Sequence, residues 1–550
     1  MLKIKPATQR PWLVPIKGGG LAPAAAIAKA LLVLLLVLPW VNPFELGPMA
    51  GAEQYLLSLV ALTALLLVSW WSEISLSETM HWLAVSWLVA ALLSTVFAVI
   101  QYAGLAHHLT PWVNLAPPGT VYANLRQRNL LASLISLGLV AVIWLAGHRN
   151  RAEAPPSWAW LLAAAWLGLG NGLSASRTGL LEWLLLLGLF GLLWRRSQVP
   201  GMPRLLLAAA VGFVFAALLL PLLGLTDPGL LARFQFESLA CLSRKALWSN
   251  VLYLIGQQPL TGWGWGGLIY AQFITLFPGL RFCSMLDNAH NLPLQLAVEF
   301  GLPAALLVCG YVLWKLVLAR PWAERDRQRQ WAWAGLTVIG LHSLLEYPLS
   351  YGPFQLAALG YLLALLPTSS DPASRWGRFW RLAAAWRVGV AMGVLALAAF
   401  ATQCYLRVRS YYPPSGQRLA PFAQGYMAVQ PRPWLFGEWL DFAEVANTAV
   451  TDTNAAHMLD LSERVVQWRP VPAIIEPLLL SAVLAQRHDL ALAYVERYKA
   501  AYPPEYAEWA KLNEKNEIFN WGQISINFQK APGHITPYHR HSCLEIPPAP

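Results

Sequence analysis

Charge is scarce in this chain: Asp, Glu, Lys and Arg together make up 12% of its 550 residues, about half the share of a soluble domain. Cysteine is scarcer still, at five (241, 283, 309, 404 and 543), and its spacing makes neither a metal site nor a disulfide framework. On the outer side carboxylates are few and scattered, and nothing resembles an acidic cluster suited to Mg2+. No short apolar leader stands apart at the N-terminus. The first apolar run is already continuous with a helix of spanning length, so no cleavable signal peptide is expected.

What the chain has is apolar length. Hydrophobic residues make up 57% of it, the mean hydropathy is +0.46, and there are 28 Trp, which suits aromatic belts at two membrane interfaces. Runs of about 20 apolar residues, each long enough to cross a bilayer, fall near 24–41, 54–71, 83–101, 129–147, 158–173, 179–194, 205–224, 291–318, 331–349, 353–367 and 386–404. The expected fold is therefore all-α: a polytopic transmembrane bundle of about eleven helices. With the N-terminus inside, inner segments collect 18 Lys and Arg and outer ones 7, as the positive-inside rule requires. Lys29, inside the first helix near its inner end, can snorkel. The odd helix count puts the C-terminus outside, and the net charge of +11 becomes topological, so a nucleic-acid partner is not expected.

Five regions follow: a basic inner N-terminus (1–23), seven helices (24–224), an outer loop (225–290), four helices (291–404) and an outer tail (405–550). The tail reads as helical, with apolar residues at 3- and 4-residue spacing. Part of it resembles a tetratricopeptide-type helix pair without a clean 34-residue period. Its end carries His534, His539, His541 and Cys543, read as a solvated tail rather than a metal site.

In this topology the polar residues of the apolar runs converge on the outer side. "LDNAHNLPLQLAVEFG" places His290 and Asn291 at the mouth of helix 8, with Asn291, Gln295 and Glu299 four apart on one helix face. "YANLRQRNLLA" brings Arg126, Gln127 and Asn129, and "SASRTG" brings Ser176 and Arg177. "LHSLLEYPLSYGPF" brings His342, Glu346 and Tyr347. Taken singly, Gln295 reads as interhelical glue, Arg177 as an interface anchor and His342 as a structural histidine. Together they mark a functional cavity, because ionisable groups at membrane depth are costly. Arg126, Arg177, Arg233, Arg244 or Arg281 offers bidentate contacts to a diphosphate, and His290 offers a base or a positioning group for a hydroxyl.

These motifs, with "PLTGWGWGGLIYAQF" before the His-Asn pair, resemble the bacterial O-oligosaccharyltransferase family, relatives of the O-antigen ligases and polymerases. The likeness extends over about residues 100–360. It implies an inner-membrane, metal-independent enzyme without a cofactor. Such an enzyme moves a glycan from undecaprenyl diphosphate to a Ser or Thr hydroxyl at the periplasmic face, often on a type IV pilin. By motif, the resemblance makes His290 the essential histidine and Gln127 the glutamine of the helix 4 signature. Tyr347 becomes the tyrosine after the helix 9 glutamate, and Arg244 a loop arginine for the diphosphate. Asn291, Gln295 and Glu299 would shape the polar floor. Cys241 and Cys283 would share an oxidising compartment, paired or free. Ligation to lipid A core, polymerisation and lipid-linked glycan transport are the rival readings.

Overall fold

The computed structural model describes residues 21–45, 47–71, 76–117, 119–149, 156–194, 201–220, 240–366, 375–413 and 432–513. Every regular element among them is helical. The first seven apolar runs form α1 (Leu21–Val41), α2 (Ala52–Trp71), α3 (Leu76–Tyr102), α4 (Arg128–Arg149), α5 (Trp158–Ser174), α6 (Arg177–Gly188) and α7 (Met202–Val214). Wider π turns extend α6 over Leu189–Leu193 and α7 over Phe215–Leu219. The last four runs form α10 (Leu292–Ala319), α11 (Arg327–Leu345), α12 (Gly352–Ala364) and α13 (Arg375–Arg409). Five of these helices, α2, α3, α4, α10 and α13, contain a stretch long and apolar enough to cross a membrane.

The apolar stretch of α4 is entirely buried, and α3, α5, α6 and α11 pack around it. Lipid tails are as apolar as leucine, so close packing rather than water exclusion holds such a bundle. Aromatic rings supply much of it. Trp331 of α11 stacks on Trp87 of α3 with centroids 5.5 Å apart, and also meets Trp144 of α4 at 5.3 Å and Tyr361 of α12 at 4.7 Å. The Lys29 ammonium pairs with Glu78 of α3 at 2.6 Å.

α10 departs from the single straight span expected over 291–318. It breaks at Gly301, whose φ of 83° and ψ of 165° lie outside helical space, and Pro303 follows two residues later. A proline removes one helical donor and its ring collides with the carbonyl four residues back, here that of Glu299. The "GWGWGG" turn fills the gap. Trp263 N–H donates to Val298 O (2.8 Å), Gly264 N–H to Glu299 O (2.9 Å), and Leu302 N–H to Pro259 O (2.8 Å). Backbone groups that a break would orphan in lipid are thereby satisfied. A Cβ on Gly301 would lie 2.2 Å from Leu260 O. Gly301→Ala is therefore expected to lose about 3 kcal/mol or more, seen as a lower yield of monodisperse protein and a lower melting midpoint in detergent.

The outer loop expected over 225–290 contains two further helices, α8 (Arg244–Gln257) and α9 (Leu268–Ile274). A Cys241–Cys283 disulfide with Cα atoms 5.3 Å apart closes it, deciding the question that spacing left open. The tail forms α14 (Gly437–Asn447), α15 (Ala455–Val466), α16 (Pro472–Leu484), α17 (His488–Ala501) and α18 (Pro503–Asn513). Its core of Met458, Leu478, Leu479 and Tyr498 takes in Phe273 and Ile274 of α9, and Arg497 donates to Ile274 O at 3.0 Å. The tail is thus docked on the loop. Arg233, His534, His539, His541 and Cys543 lie outside the described residues.

Candidate active site

Local turns bring five separated segments to one point. Arg126 (φ 59°) and Ala175 (φ 48°) reverse the chain through the left-handed region just before α4 and α6. Ser176 caps α6, accepting from Gly179 N–H at 3.0 Å, and donates to Asn129 Oδ1 at 2.7 Å. Ser243 caps α8 in the same manner, accepting from Ala246 N–H, which sets Arg244 as its first residue. His290 also adopts a left-handed backbone (φ 50°), uncommon for a residue with a Cβ, and its N–H is held by Asn288 Oδ1 at 2.8 Å. Asn291 then caps α10, accepting from Leu294 N–H, and donates to Leu344 O, both at 3.0 Å. α11 ends at Leu345, leaving Glu346 in extended backbone.

Glu346 is the hub. Its carboxylate is 5% exposed and both oxygens are filled. Oε1 accepts from Asn129 Nδ2 (3.0 Å) and from the Arg244 guanidinium, which also donates to Leu345 O. Oε2 accepts from His290 Nδ1 and, at 3.3 Å, from Gln127 Nε2. Such charge-assisted bonds are the strong ones. A carboxylate on Nδ1 fixes the imidazole tautomer, with the proton on Nδ1 and the lone pair on Nε2. The Tyr347 ring stands edge-on to His290 with centroids 5.0 Å apart. The arrangement offers a base at Nε2, an anchored cation beside it, and a phenol.

The other expected residues take different stations. Arg281 is turned inward, donating to Thr275 O (2.9 Å) and Gln272 O (2.6 Å); burial pulls its pKa down to about 10. Arg126 pairs with Glu45 at 2.9 Å and donates to Pro43 O at 2.7 Å. Gln295 holds the backbone before His290 through Ala289 N–H (2.6 Å) and donates to Glu299 Oε1 (2.9 Å), which also accepts from Gly266 N–H (2.9 Å). These residues therefore shape the loop around His290. Arg177, the first residue of α6, is exposed.

His342 lies one turn deeper than Glu346 and is fully buried. Its Nδ1 meets Ser133 Oγ at 2.7 Å, and Ser133 also donates to Glu182, whose second oxygen accepts from Ser136 at 2.7 Å. This second tier ties α4, α6 and α11 beneath the residues they present to the hub. Glu182 and Ser133 were not singled out from sequence, although an acid inside "LLEWLLLL" is the kind of signal that marks an internal network.

A cavity of ≈ 640 Å3 lies against the hub, with Glu346 and Tyr347 in its wall. The disulfide stands next to both reactive segments: Cys241 precedes Arg244 by one turn, and Cys283 begins the stretch leading to His290. Gln272 secures the same stretch, accepting from Leu286 N–H and donating to Ser284 O, both at 3.1 Å. The bridge spans 42 residues, for which chain entropy gives about 4 kcal/mol. A Cys241→Ser/Cys283→Ser chain is expected to melt at lower temperature in detergent and to have a reduced activity that the Cys309→Ser control retains.

Comparison with known proteins matches the same segments. Residues 121–146 match the model of a protein glycosylation ligase, and residues 162–309 that of an O-antigen ligase. Residues 330–517 match the C-terminal part of a virulence factor membrane-bound polymerase. Over these separate segments the chain is similar to O-antigen ligases and to protein glycosylation ligases. The first match holds Gln127 and Asn129, the second Ser176, Arg244 and His290, and the third Glu346 and Tyr347, so the three matched segments meet at one carboxylate. A general O-oligosaccharyltransferase of Acinetobacter baylyi is 27% identical over 317 residues, covering 54% of this chain and 53% of that protein. The match thus spans about half the length of that curated relative.

Proposed function

We propose that the chain transfers an oligosaccharide en bloc from undecaprenyl diphosphate to Ser or Thr hydroxyls of periplasmic proteins, with type IV pilin as a candidate acceptor. The observation that carries this reading is the Glu346 carboxylate shared between His290 and Arg244. The acceptor O–H gives its proton to His290 Nε2 as its oxygen bonds to the sugar C1. The C1–O bond to phosphate breaks, and the diphosphate leaves with its new charge met by Arg244, aided by Arg177. Arginine takes the place that a metal holds in many diphosphate sites, so transfer is expected to persist in EDTA. Tyr347 and Gln127 would keep the imidazole and the carboxylate in register. The assigned topology has eleven spans in the inner membrane, the N-terminus in the cytoplasm, and the site and tail in the periplasm.

The tail docked on α9 favours a protein acceptor over lipid A core or a second lipid-linked glycan. A broken α10 would suit a transporter, but its gap is closed by the chain's own "GWGWGG" turn. The deciding experiment co-expresses the chain, or its His290→Ala form, with a pilin, lipid A core and one defined undecaprenyl-diphosphate glycan. Intact-protein mass spectrometry and a lipopolysaccharide gel are then read together. Glycan on the pilin that disappears with His290→Ala is the expected result. Glycan on lipid A core or longer lipid-linked chains would make the chain a ligase or a polymerase, and no His290-dependent transfer would return the transporter reading.

A further inference from the structure

The cavity beside Glu346 is ill-matched to a diphosphate. Its wall holds four carboxylates; Glu45 is paired with Arg126 and Glu346 with Arg244, which leaves Asp287 and Glu299 without a cation among the described residues. Negative charge on a ligand is repelled by such a wall. The diphosphate then belongs on the far side of the hub, toward Arg244 and Arg177.

Two polar side chains in the wall lack internal partners. Gln54 of α2 is 8% exposed, and its Oε1 is buried without a hydrogen bond. Buried amide groups are nearly always satisfied, so an unpartnered amide on a cavity-lining residue is open to a ligand after a small side-chain turn. Asp287, three residues before His290, makes no side-chain hydrogen bond or ion pair among the described residues. Aromatic faces complete the wall. Tyr347 and Tyr351 stack at 6.0 Å, and Trp265 stands 87% exposed beside Phe300 at 5.8 Å.

We propose that this cavity is a saccharide subsite, in which Gln54 and Asp287 bind hydroxyls of the donor glycan while Tyr347, Tyr351 and Trp265 pack against its rings, an assignment that presupposes the glycosyl transfer argued above. The balance of donors and acceptors selects a sugar over a polypeptide. A glycan presents many O–H donors, which the unpaired carboxylate can accept. A peptide presents one carbonyl for every N–H, and two of the strongest donors in the wall are already engaged. The Gln295 amide is held by Glu299 and Asp287 O, and the Arg126 guanidinium by Glu45 and Pro43 O. The volume of ≈ 640 Å3 falls within the range of about 300–1,000 Å3 typical of small-molecule pockets.

The test uses the full-length His290→Ala chain in nanodiscs, where turnover cannot deplete the ligand. Filter binding is measured for radiolabelled undecaprenyl-diphosphate disaccharide and for undecaprenyl diphosphate without sugar. Asp287→Asn and Gln54→Ala, added singly, are each expected to weaken disaccharide-lipid binding about tenfold and to leave sugar-free lipid binding unchanged. Asp287 is exposed, so its substitution tests the subsite even where Gln54→Ala perturbs packing; size-exclusion profiles check both. Equal weakening of both lipids, or no weakening of either, overturns the subsite. Loss of binding of a Ser-containing acceptor peptide with the glycan lipid unaffected would make the cavity a polypeptide site and overturn it too. A wild-type chain that glycosylates no protein, but whose disaccharide-lipid binding depends on Asp287, would remove the acceptor assignment and leave the subsite standing.

Discussion

His290→Ala is expected to lower the rate of glycosyl transfer by about 10²- to 10⁴-fold, the usual contribution of a positioned general base, with the melting midpoint nearly unchanged. The imidazole is 19% exposed, so truncating it opens little core. Its one strong side-chain bond is to Glu346, which keeps Arg244, Asn129 and Gln127 as donors after the change. His290→Gln retains a donor toward Glu346 but has no titratable nitrogen. A base role therefore predicts that it is as inactive as His290→Ala, whereas a positioning role predicts substantial recovery. Initial rates with purified donor and acceptor, alongside a thermal melt, separate the two.

Glu346→Gln is expected to have a comparable effect by a different route. The carboxylate sits 5% exposed between a guanidinium and an imidazole. Where a carboxylate orients a catalytic histidine, its replacement by the amide costs about 10⁴-fold in turnover, because the wrong imidazole tautomer is favoured. Here the amide NH2 must also face two donors, Asn129 Nδ2 and the Arg244 guanidinium on one oxygen or His290 and Gln127 on the other. Leaving a buried charge such as that of Arg244 uncompensated typically costs about 3–5 kcal/mol, reduced here because Arg244 is 35% exposed. Glu346→Gln is thus expected to lower both turnover and the melting midpoint, which distinguishes it from His290→Ala.

The helices were legible because about 20 apolar residues have few solutions in lipid: each of the eleven runs falls on a helix, and five of those helices are long and apolar enough to cross a membrane. The break in α10 was not read from the sequence, although "EFGLP" holds both its causes, a glycine able to take φ of 83° and a proline two residues on. Convergence of Gln127, Arg244, His290 and Glu346 was also readable, since all stand at helix ends facing one side. Which group sits at the centre was not. Glu346 becomes the hub only through partners 56 to 219 residues away in sequence, and spacing along a chain carries no such distance. The same limit explains Arg281, whose charge suggested phosphate but whose guanidinium closes a turn on Gln272 O and Thr275 O. Glu299 was placed on the correct helix face beside Gln295, which donates to it, but its second partner, the backbone of Gly266, is invisible to side-chain patterning. Gln54 and Asp287 escaped notice because a missing partner is a property of the folded chain alone.

The central claim is that Glu346 holds His290 ready to take a proton while Arg244 receives the leaving diphosphate. Steady-state kinetics of the purified wild-type and Glu346→Gln chains, with undecaprenyl-diphosphate glycan and a Ser-containing peptide varied in turn, test it most directly. The expected result is a kcat at least about 100-fold lower with both KM values within a few-fold of wild type. A kcat close to wild type, in a chain that still binds donor, would contradict it.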